Sequence, residues 1–342
     1  MVMLSLQKSN QLKSIAILMM LCLHLFNRDY QGLFQPLLFI GHQPLSYYIS
    51  LFCDACVPIF AFVSGYGLYF KYTQDKDSYS QGNAERLKKL YVNYWIVLLL
   101  FAVLLGLLIS KEGYPGTWQK FLLNFTGLHT SYNGAWWFFT TYVLFVLTSS
   151  FWFRLLDKLN PYIFVFSLLL TYFVAFYFRV YKTGLFENDI LQWLHTQTAL
   201  YFCTLFQFML GAFALKYRWH IKVNNRMSRL SNKNWVVIMG VILLIIIHGI
   251  VPNFIVAPFT GLGFIFLFLQ LDIGKVGDKV LDFFAPHATN MWLIHMFFYM
   301  IYFKDFVYSF HYVTLIFLVL VVMCLVSSYV VNYINRSLQQ IL

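Results

Sequence analysis

Residues 312–334 read YVTLIFLVLVVMCLVSSYVVNYI, a run with no charged side chain. A helix of about 20 apolar residues crosses the hydrocarbon core of a bilayer, so this stretch decides the environment in which the chain folds. Working back towards the N-terminus, comparable runs lie at about 12–28, 47–70, 90–110, 135–154, 162–179, 199–215, 235–250, 254–271 and 288–303. A backbone in lipid must satisfy its own N–H and C=O groups. The expectation is therefore an all-α, polytopic integral membrane protein with about ten transmembrane helices, forming a single membrane-embedded domain over residues 1–342.

The composition agrees. The chain is 60% hydrophobic and only 11% charged, whereas a soluble domain carries roughly 25% charged residues. A soluble globular protein, a disordered chain and a disulfide scaffold are all excluded. The net charge of +11 looks like that of a nucleic-acid binder until the basic residues are placed. With the N-terminus cytoplasmic, 18 of the 24 lysines and arginines fall in inner segments and 6 in outer ones, as the positive-inside rule requires. Both termini are then cytoplasmic. The basicity is a topology signal, and the expected partner is the lipid bilayer, not nucleic acid.

Ionisable residues inside hydrocarbon cost at least ~2.5–3.5 kcal/mol each, so each one needs a reason. Counting 1.5 Å per residue, His24 lies roughly 6 Å, Asp54 roughly 10 Å and His295 roughly 12 Å below the outer surface. Two histidines and an aspartate at similar depth suggest an Asp–His arrangement in which the carboxylate fixes the imidazole tautomer. No His-x-x-x-His pair lies on one helix, so no metal is expected. Cys53 and Cys56 form an isolated CxxC that reads as small apolar packing.

Lys13 and His24 are eleven residues apart, about three helical turns, and share one face of the first span. Arg86 and Lys89 share a face in the basic segment before the third span. Cations clustered at the inner mouth of a bundle suit phosphate groups, or else serve only to hold the inner side inside. Before the fourth span, His129, Tyr132, Asn133, Trp136 and Trp137 crowd together. They are either an interfacial aromatic belt or a surface on which a sugar stacks.

Five stretches then resemble, in order, the acyltransferase 3 family of integral-membrane acyltransferases. They are LKSIAILMMLCLHLF with Lys13 and His24, VPIFAFVSGYGLYF with Ser64, Gly65 and Tyr66, RLKKLYVNYW, NGAWWFFTTYVLF and ATNMWLIHMFF. The resemblance runs from about residue 10 to 335. It implies transfer of an acyl group, most often acetyl from acetyl-CoA, to a hydroxyl of an envelope carbohydrate or glycolipid at a bacterial plasma membrane. On that reading His24 is the base or a transient acyl carrier, Arg86 and Lys89 hold the CoA phosphates, and Asn133, Trp136 and His295 line the cavity. The chain departs from the family pattern at four places, one being the segment before the third span, with one Arg and two Lys where the family has a full Arg set. Lys13 stands for the usual Arg, Pro58 stands where many members have Asp (with Asp54 a turn earlier), and Tyr142 stands where a large branch has Glu.

The chemistry needs a base, worth roughly 10²–10⁴-fold, and a donor to the oxyanion, worth a further 10²–10³-fold. Asn133, Tyr142 and His295 are candidates for the latter. Two rival classes share parts of the pattern. A proton-coupled transporter or flippase of an envelope precursor would also bury His and Asp, but no inverted repeat is visible. A lipid-linked polymerase or ligase would need a larger, Arg-rich outer loop.

Overall fold

The computed structural model describes residues 4–229 and 232–339, and the chain is about 80% helical. Among the described residues, eight helices are long and apolar enough to cross a membrane: α1 (Leu6–Phe26), α2 (Leu45–Gln74), α3 (Tyr79–Leu108), α5 (Gly134–Lys158), α6 (Pro161–Tyr181), α7 (Asp189–Lys216), α9 (Lys233–Ile250) and α14 (Val313–Leu338). The short helices α4 (Trp118–Phe125), α8 (Trp219–Met227), α11 (Gly274–Phe284) and α13 (Lys304–Tyr308) lie between them. The two remaining expected spans are helical but do not meet that standard. The 254–271 run forms the shorter α10 (Phe254–Phe268). The 288–303 run forms α12 (Ala288–Met296), which widens into a π-helix over Phe297–Tyr302. Its buried polar residues Asn290 and His295, with His287 just before it, explain why it is less apolar than its neighbours.

The bundle is seamed by glycine. A Cβ on Gly65 of α2 would stand 1.8 Å from the Phe208 carbonyl oxygen of α7, and one on Gly211 would stand 2.0 Å from the Phe62 carbonyl oxygen. Only residues without a side chain let the two backbones approach so closely, which is how membrane helices gain dispersion contacts where lipid offers no hydrophobic drive. Helix α7 is accordingly the most enclosed, whereas α9 turns most of its surface outward to where lipid lies.

Proline interrupts the helices where polar groups are needed. In α2 a 3-10 turn at Cys53–Ala55 separates Leu45–Phe52 from Cys56–Gln74. Pro58 has no N–H to give the carbonyl of residue 54, so the α-helical ladder cannot run through that point. Pro258 acts likewise at the start of α10, where a 3-10 turn covers Phe254–Val256. The Tyr172 hydroxyl of α6 donates to the Ile255 carbonyl at 2.9 Å and reaches the freed Phe254 carbonyl only at 3.5 Å.

Side-chain bonds fix the remaining helices. Gln11 of α1 donates to Asp278 (2.8 Å) and Asp282 (3.2 Å) of α11, and Ser14 donates to the Leu281 carbonyl at 2.6 Å. Asn93 of α3 donates to Asn290 of α12 at 2.7 Å, and Asn290 donates to Ser328 and Asn332 of α14 at 3.0 and 2.9 Å. At the far end of α2, Tyr69 and Lys216 converge on Asp157, at 2.7 and 3.3 Å. The loop between α3 and α5 packs on itself. Tyr114 donates to the Tyr132 carbonyl, Tyr132 donates to that of Pro115, and the Lys120 ammonium lies 5.0 Å from both ring centres. Burial pushes the Tyr132 phenol up to about 12, so it remains a donor throughout the physiological range.

Candidate active site

The two histidines meet. His24, near the end of α1, and His295, near the end of α12, have ring centres 4.9 Å apart with planes tilted by 47°. His295 is fully buried. Its Nδ1 lies 2.7 Å from the Trp292 carbonyl and 3.2 Å from that of Met291. A carbonyl only accepts, so Nδ1 carries the proton and Nε2 presents its lone pair. Among the described residues that Nε2 has no hydrogen-bond partner. Two backbone carbonyls thus do for His295 what the sequence assigned to a carboxylate.

Two residues that sequence reasoning missed complete the centre. Tyr299, four residues after His295, stacks on it at 5.9 Å and brings its hydroxyl to 3.4 Å from His24 Nδ1. Arg28, four residues after His24, donates to the His24 carbonyl at 2.7 Å and lies 5.8 Å from the Tyr299 ring centre. Both follow a histidine by one helical turn, the spacing that places side chains on one face, and that spacing was visible in the sequence.

Asn133 and Trp136 are drawn to the centre as supports. Asn133 is 1% exposed and Trp136 is fully buried. Both donate to the Leu293 carbonyl, at 3.0 and 2.8 Å, and Trp292 donates back to the Ala135 carbonyl at 2.9 Å. They clamp α12 two residues before His295. Trp136 is enclosed by Tyr94 at 4.8 Å and Phe297 at 5.7 Å, so neither face is free to stack on a sugar. In the structure these two residues hold the helix that carries His295.

The other expected residues divide. Asp54 does not join the histidines. Among the described residues no hydrogen bond or ion pair connects it to either, and it lines a separate cavity with Arg179 and Trp137. Its depth was matched to theirs but the 3-10 turn carrying it faces another way. His129 is exposed at the loop after α4, its backbone N–H on the Leu123 carbonyl. Lys89 is exposed on α3, whereas Arg86 is half-buried and donates to Asn83 at 2.9 Å. Asn83 is held in turn by the Val146 carbonyl at 3.2 Å. The Arg86 guanidinium lies within electrostatic reach of half-buried Lys13 and of Tyr142. Lys13 and Arg86 thus lie within each other's electrostatic reach, while Lys89 is exposed on α3. Among the described residues no carboxylate pairs with Lys13 or Arg86, and no group of three His, Cys, Asp or Glu residues is placed to hold a metal ion.

Fold and centre together define a multi-pass membrane protein with facing histidines enclosed in a helical bundle. The acyltransferase 3 family model, described as an acyltransferase domain, matches residues 7–333, nearly the whole chain, and the protein belongs to that family. It is a membrane acyltransferase. No curated protein and no solved structure matches it.

Proposed function

We propose that the protein transfers an acyl group, acetyl in the first instance, from cytoplasmic acetyl-CoA to a hydroxyl of an envelope carbohydrate or glycolipid, in a bacterial plasma membrane. The observation that carries this reading is the facing pair His24 and His295, 4.9 Å between ring centres, with one imidazole nitrogen left open by the tautomer that the carbonyls of Met291 and Trp292 impose on His295.

The reaction balances on these groups. The acceptor oxygen attacks the thioester carbon, a C–O bond forms, and an imidazole takes the hydroxyl proton. The C–S bond then breaks and the proton passes to the leaving CoA thiolate. His24 acts as the base, or carries the acyl group between two such steps. Tyr299 and Arg28 are donors beside the centre where negative charge develops on the carbonyl oxygen. Arg86 and Lys13, two half-buried cations with no carboxylate partner among the described residues, suit the phosphates of CoA. Lys13 provides a point charge and Arg86 a planar fork.

The test is the ester-linked acetyl of envelope carbohydrate, read by mild-base release and mass difference. Cells lacking the gene, cells carrying it and cells carrying His24→Ala at matched expression are compared. His24→Ala is expected to lose at least ~100-fold in transfer while still inserting in the membrane. Acetyl equal in all three strains would reject the assignment.

A further inference from the structure

Away from the histidines the bundle holds a second polar cavity of about 110 Å³, walled by Asp54, Pro58, Trp137, Arg179, Gln207 and Pro258. It sits where the two proline-interrupted helices α2 and α10 meet, and broken helices are where membrane proteins tolerate polar, ligand-lining backbone. Three observations make it more than a packing gap. The Arg179 guanidinium is covered by aromatic rings, 5.0 Å from Trp137 and 4.5 Å from Phe254. It nevertheless forms no ion pair with Asp54 across the cavity, although it lies within the reach of that charge. Gln207 is only 7% exposed, yet among the described residues its Oε1 accepts no hydrogen bond. A buried acceptor left unmade costs about 1–3 kcal/mol, so this side chain is placed at a cost to stability.

The cavity offers two acceptors, the Asp54 carboxylate and Gln207 Oε1, against the donors of Arg179. Its formal charges cancel. An anion would meet Asp54 and a cation would meet Arg179, whereas a hydroxyl both donates and accepts. We propose that this cavity binds the hydroxylated ring of a neutral sugar or polyol, as the acceptor subsite of the transfer reaction, and the word acceptor rests on the function proposed above. Asp54 and Gln207 receive hydroxyl protons, Arg179 donates to ring or hydroxyl oxygens, and Trp137 forms the apolar wall. Trp137 directly follows Trp136, which clamps the His295 helix, so one turn of chain joins the two sites.

Saturation-transfer difference NMR on the whole protein in detergent tests this, with methyl glucoside, the methyl glycoside of N-acetylglucosamine, and ribitol as probes. At least one is expected to bind. Asp54→Asn and Gln207→Leu should each weaken that binding at least about tenfold, and His24→Ala should leave it intact. Gln207→Leu replaces an unsatisfied buried acceptor and should keep or raise Tm, so loss of binding in a stable variant cannot be put down to unfolding. No signal from any probe, or a signal that survives both substitutions, would overturn the proposal. Binding that depends on Asp54 and Gln207 in a protein that forms no acetyl ester would uphold this cavity while rejecting acyl transfer.

Discussion

The His295 ring owes its usefulness to bonds made elsewhere. Its Nδ1 is committed to two carbonyls, and the carbonyl two residues upstream, that of Leu293, is gripped by Asn133 and Trp136. Trp136→Phe keeps an aromatic surface and deletes one N–H donor in a buried place. We expect kcat to fall roughly tenfold, from about 1–1.5 kcal/mol of lost positioning, with KM for the acceptor unchanged. If Trp136 instead stacked on the sugar, Phe would preserve kcat and the acceptor KM would rise, so the split between the two constants decides the matter. At this scale much of the site was legible. His24, His295 and Arg86 stand out as polar residues in apolar surroundings, and their depth follows from counting residues. Direction around the bundle does not follow from counting. Asp54 shares the depth of the histidines and faces Arg179, because a turn forced by Pro58 re-aims it. Tyr299 and Arg28 passed as an ordinary aromatic residue and an ordinary loop cation, since neither is unusual until its histidine neighbour one turn away is taken as the reference.

Among the elements, the contact of α2 with α7 carries the sharpest stability prediction. Gly211→Val would drive a branched side chain into the Phe62 carbonyl, where a bare Cβ already falls at 2.0 Å. Overpacking of this kind typically costs about 1–3 kcal/mol where neighbours can yield, and a helix backbone yields least. The variant should be lost from the monodisperse fraction on size-exclusion chromatography in detergent. Gly67→Ala, where nothing lies within 4 Å of the added carbon, should elute unchanged. The helices themselves were legible from their apolar runs, to within a few residues at most ends. The seam was not, because Gly65 and Gly211 are 146 positions apart and neither has meaning until its partner is known. The interruptions at Cys53–Ala55 and Phe254–Val256 had a local cause in Pro58 and Pro258, but a proline in a membrane helix need not break it when neighbours re-satisfy the freed carbonyl.

For the whole molecule, the charge asymmetry that the sequence displays predicts which face is which. Lys76, Lys111 and Lys182 are all exposed and lie in loops on opposite sides of that scheme. Replaced singly by cysteine in a background free of Cys22, Cys53, Cys56, Cys203 and Cys324, Lys111→Cys and Lys182→Cys should react with an impermeant maleimide on intact cells. Lys76→Cys should react only after permeabilisation. The opposite pattern would put the histidines in the inner leaflet and reverse the route from donor to acceptor. The glycine seam bears on that route in another way. Two helices whose backbones touch at reciprocal points cannot shear past one another by a fraction of a turn without driving carbonyl into carbon. The pair α2–α7 therefore behaves as a keel, and the Pro58 break hangs from one of its members. Breathing of the bundle, such as admitting a bulky acceptor requires, falls to the helices outside this pair, of which α9 is the least enclosed.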